Sequence, residues 1–148
     1  MSDPLPEQLI RAEELMYNGK GEEALEIIIN FEKRSDLTPR NKLSALLLRG
    51  WVYSTKIQFE KPMEMGERTY TMSQELGLVS ETIEALILKV YSVFLGKIEE
   101  AFNHVLEAEK LLRTLPDSPP YNYFKIADLN LFLKSWVYFY KNDLPLYS

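Results

Sequence analysis

The sequence contains an internal repeat with a period of about 40 residues. The segment GKGEEAL at residues 19–25 recurs as GKIEEAF at residues 96–102, a shift of 77 positions. The segment ALLLR at residues 45–49 recurs as ALILK at residues 85–89, a shift of 40 positions. Shifts close to one and two multiples of the same length indicate a tandem array of equivalent units joined by loops of unequal length.

A basic residue follows the apolar run of each unit, and these residues align the units at spacings of 38, 40 and 45. We call them the basic column: Arg11, Arg49, Lys89 and Lys134. The column could be a basic stripe for an acidic partner. Alternatively, its aliphatic stems lie on apolar surface while the charged ends meet solvent. The net charge of −5 favours the second interpretation.

The residue after each basic position is small in three of the four units. The four residues are Ala12, Gly50, Ser135 and, as the exception, Val90. A small residue at a fixed place in a helix lets a second helix approach to about 8 Å, so this position predicts a helix–helix contact.

Turn and cap signals divide the units into pairs of helices. Gly19 and Gly96 mark tight turns within units, and Gly77 is predicted to end a helix. Thr38 and Ser80 are predicted N-caps of the helices that open the second and third units. Alternation of apolar and polar residues is nearly absent, so strands are not expected.

The predicted fold is therefore all-α, in a single domain that spans residues 1–148. About seven helices are expected, and the last is predicted to run from about Phe124 to Lys141. The four units cover approximately residues 5–37, 38–78, 79–115 and 121–148.

These features resemble the tetratricopeptide-repeat family. The resemblance rests on a small residue in each first helix, an aromatic residue or leucine three positions later, a turn glycine and a small residue in the second helix. The matching residues are Ala12, Gly50 and Ser135; Leu15, Tyr53 and Tyr138; Gly19 and Gly96; and Ala24 and Ala101. The units are longer than the family's roughly 34 residues, which points to its relatives with lengthened helices. The resemblance implies a right-handed α-solenoid of antiparallel helix pairs, about three and a half repeats long.

In this family the first helices line a concave groove, and the resemblance carries its groove positions onto apolar and aromatic residues. These predicted groove residues are Leu47, Trp51, Ile87, Tyr91, Phe94, Phe132, Trp136 and Phe139. Family members that bind the C-terminal carboxylate of chaperones use Lys, Arg and Asn there, so that specificity is not expected. An aromatic groove favours an apolar or amphipathic segment of a protein or peptide. Trp51 and Trp136 share one repeat position, and packing against the neighbouring repeat is the alternative interpretation of both.

The composition removes most catalytic chemistry. The chain has no cysteine and one histidine, His104, which excludes thiolate chemistry and multi-histidine metal sites. No catalytic residue, metal or cofactor is predicted, because no nucleophile has a base beside it. The acidic net charge argues against nucleic acid as a partner. No apolar run approaches the roughly 20 residues of a membrane span and no signal peptide begins the chain, so we predict a cytoplasmic protein.

The aromatic residues are unevenly distributed. Residues 121–148 hold nine of the 18 aromatics and only five charged residues. The end of a repeat array needs a polar outer face, because no further unit covers it. Three explanations are open: self-association of two copies, truncation of a longer array, or a surface for another partner. We favour a homodimer formed through Trp136, Tyr138, Phe139 and Tyr140.

The sequence therefore predicts a non-catalytic scaffold for protein–protein interaction. It uses an apolar and aromatic concave groove and self-associates through its last helix. The alternative function is a carrier that holds an apolar small molecule or lipid in the same groove.

Overall fold

The computed structural model describes residues 5–56, 60–93, 97–115 and 134–135, and within these ranges it contains six α-helices and no strand. The helices are α1 (Glu7–Tyr17), α2 (Gly21–Glu32), α3 (Pro39–Thr55), α4 (Glu60–Leu76), α5 (Val79–Val93) and α6 (Ile98–Leu112). The all-α prediction is confirmed. The predicted seventh helix lies outside the described residues apart from Lys134 and Ser135, which are helical.

Each helix packs against the next along the chain. Contacts also join α1 to α3 and α3 to α5, so the first helices of successive pairs touch one another. Only three residues separate α1 from α2, and two separate α4 from α5. Such short connections make neighbouring helices antiparallel. The pairs α1–α2, α3–α4 and α5–α6 fall within the first three predicted units.

Two glycines end helices by the same mechanism. Gly19 and Gly77 adopt the left-handed conformation, with φ of +77° and +68°, which favours glycine because it has no Cβ. After Gly77, the Leu78 N–H donates to the Ser73 carbonyl oxygen at 2.9 Å, and Lys20 makes the equivalent bond to Leu15 at 2.8 Å. These bonds satisfy carbonyl groups that the helix end would otherwise leave without a partner. The predicted helix end at Gly77 is confirmed.

The predicted N-caps have different outcomes. Thr38 caps α3, because its Oγ1 accepts a hydrogen bond from the backbone N–H of Asn41 at 3.1 Å. The prediction for Ser80 is wrong, since α5 begins at Val79 and Ser80 is buried in its first turn. The first helical bond of α5 ends on the Leu78 carbonyl oxygen. The tight turn at Gly77 leaves only Leu78 to occupy the cap position.

The core is a series of apolar clusters shared between helices. A cluster around Phe31 joins α1, α2 and α3, and a cluster around Ile83 joins α5 and α6. Between them, Leu46 of α3, Met65 of α4 and Leu88 of α5 form a third contact. The helix α3 takes part in the first and third of these contacts and α5 in the second and third, so the stability of each pair depends on its neighbours.

Gly50 lies beside the contact that Leu46, Met65 and Leu88 form between α3, α4 and α5. A Cβ atom built on Gly50 would lie 2.4 Å from Cδ2 of Leu88 and 3.1 Å from Cβ of Met65. The helix–helix contact predicted at Gly50 is therefore confirmed, and it involves α5 as well as the paired helix α4.

We expect Gly50→Leu to lower the free energy of unfolding by about 1–3 kcal/mol, because the added side chain overpacks the contact. Chemical denaturation of the purified protein measures this change. Gly21→Ala is the matched control. Its Cβ would meet Lys56 at 3.4 Å and Val52 at 3.5 Å, and we expect a change within about 0.5 kcal/mol. Equal stability of the two variants would show that Gly50 does not set the helix spacing.

Candidate interaction surface on the first helices

Three side chains from α3 and α5 meet where the second and third units join. The indole Nε1 of Trp51 donates a hydrogen bond to Oε1 of Glu84 at 2.9 Å. The Trp51 ring also contacts the Tyr91 ring, with centroids 5.6 Å apart and an angle of 83° between the planes. All three residues are half-buried. We call this group the aromatic corner.

Local sequence explains why these side chains converge. Trp51 directly follows Gly50, which leaves no room for a side chain between α3 and Leu88 of α5. Glu84 and Tyr91 are seven residues apart in α5, which is about two helical turns, so they lie on one face of that helix. Trp51 spans the space between them, bonded to one and stacked edge-on against the other.

The chemistry of the corner is that of a fixed apolar surface with one acidic group. Edge-to-face contacts between aromatic rings are favourable, and the hydrogen bond to Glu84 restricts the Trp51 ring further. Burial raises the pKa of the Tyr91 hydroxyl, so Tyr91 is neutral at physiological pH. A surface that is already ordered loses little conformational entropy when it binds a partner.

The predicted groove residues have different positions in the structure. Trp51 and Tyr91 are brought together and remain partly exposed. Leu47 and Ile87 are 3% and 1% exposed, so the structure places them in the core and not on an open surface. Leu47 of α3 packs with Ala85 of α5, whereas Ile87 packs in the cluster that α5 forms with α6, and these contacts enclose the two side chains. Trp51 also packs against the neighbouring unit, as its alternative interpretation predicted, because it contacts Glu84 and Tyr91 of α5.

The other predicted residues lie outside the described part of the chain. These are the groove residues Phe94, Phe132, Trp136 and Phe139 and the self-association residues Tyr138 and Tyr140.

The basic column has a role that neither sequence interpretation predicted. Arg49 Nη1 lies 3.4 Å from Oε1 of Glu32, at the end of α2. Lys89 Nζ lies 4.7 Å from the centroid of the Tyr70 ring in α4. In these two cases a basic residue of a first helix contacts the second helix of the preceding unit.

A third contact continues this series. Lys134 Nζ lies 2.5 Å from Oε2 of Glu109, in α6. The three contacted residues, Glu32, Tyr70 and Glu109, are themselves spaced by 38 and 39 positions. The column therefore joins consecutive units and is not an open basic stripe at these three positions. The nearly equal spacing of the contacted residues is the sequence signal that could have revealed this.

Tyr70 is the centre of a larger polar cluster that joins α4, α5 and α6. Its hydroxyl donates a hydrogen bond to Glu107 and accepts one from Gln74 at 3.1 Å. Burial, and then Glu107, raise the pKa of Tyr70 to about 12. Burial, and then the charge of Lys89, lower the pKa of His104. His104 is therefore neutral at pH 7, and its Nε2 lies 3.7 Å from Oε1 of Glu100.

The described residues contain no group of three or more His, Cys, Asp or Glu side chains that could hold a metal ion. Among the described helices, none is both long enough and apolar enough to span a bilayer. Compared with protein-family models, with curated proteins and with solved structures, the chain shows no match.

We expect Tyr70→Phe to lower the free energy of unfolding by about 1 kcal/mol at neutral pH, because it removes the hydroxyl that Glu107 and Gln74 bind. The folded pKa of about 12 exceeds the value of 10.0 expected for a free tyrosine. The contribution of the hydroxyl is therefore complete below about pH 10 and is lost as the pH rises towards 12.

Urea denaturation of both proteins at about pH 7 and about pH 11 measures this difference. Tyr17→Phe is the control, because Tyr17 is 65% exposed and its substitution should change stability at neither pH. If the difference in unfolding free energy between wild type and Tyr70→Phe does not shrink at high pH, the raised pKa of Tyr70 is contradicted.

Proposed function

We propose that the protein is a non-catalytic scaffold that binds an apolar segment of a protein partner on the face formed by its first helices. We further propose that its units belong to a tetratricopeptide-like, right-handed solenoid, in which this face is the concave groove. Two features support the arrangement. First helices contact first helices, and the contacts of the basic column recur from unit to unit.

The aromatic corner is the single observation that carries the proposed function. Trp and Tyr are enriched among residues that dominate binding energy, because they offer large rigid surfaces at small entropic cost. Trp51 and Tyr91 are partly exposed although they have an ordered packing arrangement. The family resemblance assigns Phe94, Phe132, Trp136 and Phe139 to the same groove.

We expect Trp51→Ala to weaken binding of a partner segment by about 30-fold, the loss typical of a binding hot spot. Peptides are selected from a random library on the wild-type protein, and their affinities are measured by fluorescence anisotropy.

Tyr53→Ala is the matched control for this experiment. Tyr53 lies on the same helix and is half-buried, but its ring contacts Lys61 of α4. Two residues along a helix correspond to a rotation of about 200°, so Tyr53 faces away from the corner. Circular dichroism checks that both variants fold. Equal loss in both variants, or selection of no peptide, would refute a binding role for the corner.

A carrier of an apolar molecule or lipid is the alternative function. One described cavity, of about 470 Å³, lies between α4, the end of α5 and the start of α6. Its lining combines Met63 and Val93 with four charged residues, Glu60, Glu64, Glu67 and Lys97. Carboxylates at such a site disfavour an acyl chain, since burying a charge without a partner is costly. This cavity therefore gives the carrier function no support.

We also propose that two copies associate through the C-terminal region, by way of Trp136, Tyr138, Phe139 and Tyr140. The support comes from the sequence, because this region carries half of the aromatic residues and few charges. The cytoplasmic location likewise stays a prediction from the sequence.

We expect Phe139→Glu to shift the protein from dimer to monomer, because a buried unpaired carboxylate opposes association. Sedimentation velocity at tens of micromolar protein measures the change. Tyr17→Glu serves as the control that adds the same charge, since Tyr17 of α1 is 65% exposed. A wild-type protein that sediments as a monomer at this concentration would refute the dimer.

A further inference from the structure

One face of α1 is open although the same face is covered in the next two first helices. The position before the basic column holds Ile10, Leu48 and Leu88 in the first three units. Leu48 and Leu88 are 4% and 0% exposed, whereas Ile10 is 42% exposed. Leu48 lies in the cluster around Phe31 of α2, and Leu88 packs with Met65 of α4. In both covered cases the second helix of the preceding unit takes part in the burial.

The neighbouring positions on this face show the same difference. Glu7 and Glu14 lie one turn to either side of the basic column, on the same side of α1 as Ile10. Both are exposed, whereas their equivalents in α3, Ala45 and Val52, are fully buried. Among the described helices, α1 contacts only α2 and α3. We call this surface the open face of α1, and it consists of Glu7, Ile10, Arg11, Glu14 and Tyr17.

The open face carries exposed apolar side chains. Four large apolar residues are exposed in the part of the chain that the structure describes, and two of them, Ile10 and Tyr17, lie here. They are seven positions apart, which is about two helical turns, so they are aligned along α1. An array end that meets only water needs a polar outer face. The aligned pair therefore favours a partner on this surface.

The open face also carries charges that have no partner. The other three members of the basic column each contact the second helix of the preceding unit. Arg11 is exposed and makes no hydrogen bond or ion pair with its side chain in the described structure. The same is true of the carboxylates of Glu7 and Glu14. A positive charge thus lies between two negative charges, and all three are available to a partner.

The helices that meet the basic column elsewhere indicate what the open face accepts. Glu32 of α2 contacts Arg49, and Glu109 of α6 contacts Lys134. Buried apolar residues lie four positions and one position before each glutamate. These residues are Ile28 and Phe31 in α2, and Val105 and Ala108 in α6. Residues three or four positions apart share a helix face, so each helix presents an apolar stripe with an acid beside it.

We propose that the open face of α1 binds an amphipathic α-helix of another protein. The partner helix packs apolar residues on Ile10 and Tyr17 and places an acidic residue against Arg11. Charge complementarity adds a basic residue about one turn to each side of that acid, opposite Glu7 and Glu14. The contacts with Arg11 and Ile10 are those that a second helix makes with the next unit inside this chain.

A second copy of the chain is a poorer occupant. In the described structure each second helix already uses its contact residue, because Glu32, Tyr70 and Glu109 meet the basic column of their own chain. The open face lies on α1, whereas the aromatic corner lies on α3 and α5. The inference therefore does not rest on the proposed function.

A library of helical peptides tests the proposal. Its frame is an amphipathic sequence of about 20 residues, which is long enough to form a helix. Three positions at intervals of one turn, on the edge of the apolar stripe, are randomised among Glu, Lys and Gln. We expect selection on the wild-type protein to enrich Glu at the central position and Lys at the two outer positions. Selection on Arg11→Glu should instead enrich Lys at the central position.

Fluorescence anisotropy then measures the affinities of the enriched peptides. We expect Arg11→Glu to weaken binding by about tenfold, and a peptide with Lys in place of its central Glu to recover this loss on the variant. Ile10→Ala should also weaken binding by about tenfold, because it removes apolar contact. Lys42→Glu is the matched control. Lys42 is exposed on α3, and its reversal changes the net charge equally but should leave the affinity unchanged.

Three outcomes would overturn the inference. The first is enrichment of no peptide, or of the same central residue on wild type and Arg11→Glu. The second is a urea midpoint of Arg11→Glu well below that of Lys42→Glu, which would show that this chain covers the face itself. The third is a loss of self-association in Arg11→Glu, which would identify a second copy as the occupant. Peptides on the open face should bind Trp51→Ala normally, so this result is separate from the test of the proposed function.

Discussion

The close approach of α3, α4 and α5 at Gly50 is the constraint on which the rest of the described structure depends. A side chain at this position would collide with Leu88, and its Cβ would press on Met65. Gly66 has the equivalent role between α4 and α5, because a Cβ there would lie 2.7 Å from Cγ of Lys89. Since interiors are close-packed, the helix spacing follows from these two missing side chains. The spacing in turn lets Trp51 reach both Glu84 and Tyr91.

The polar contacts between units have a different role from the apolar packing. Ion pairs such as Arg49 with Glu32 are partly exposed, and pairs of this kind contribute at most about 1 kcal/mol each. Apolar faces attract one another without strong directional preference. Glu32, Tyr70 and Glu109 each offer a contact at one point on a second helix. Each contact favours one position, along the helix axis, of the first helix of the next unit. We therefore assign the stability of the array mainly to its core and the alignment of its units mainly to the basic column.

Much of the fold could be predicted from the sequence because its determinants are local or periodic. Thr38 caps α3 through a hydrogen bond to a residue three positions away, and Gly77 ends α4 through its own backbone conformation. Both effects are local, so the sequence was enough to predict them. The position of Ser80 was not predictable in this way, because the turn at Gly77 places Leu78, and not Ser80, at the cap of α5. The groove prediction failed to separate Trp51 from Leu47 for a different reason. Both lie on the first-helix face that the repeat alignment defines, and only the packing of α5 on α3 decides which of them is enclosed.

The packing role of Trp51 at the aromatic corner is compatible with the binding role that we propose for it. Its indole N–H is bonded to Glu84 and its ring contacts Tyr91, so these contacts stabilise the junction of two units. Those same contacts fix the ring and leave part of its surface exposed. A partner that meets an indole whose N–H is already bonded gains mainly from contact with the ring face. Apolar contact and cation attraction are the interactions that a ring face provides. The structural role of Trp51 thus limits what it can offer the proposed partner to contacts with its ring face.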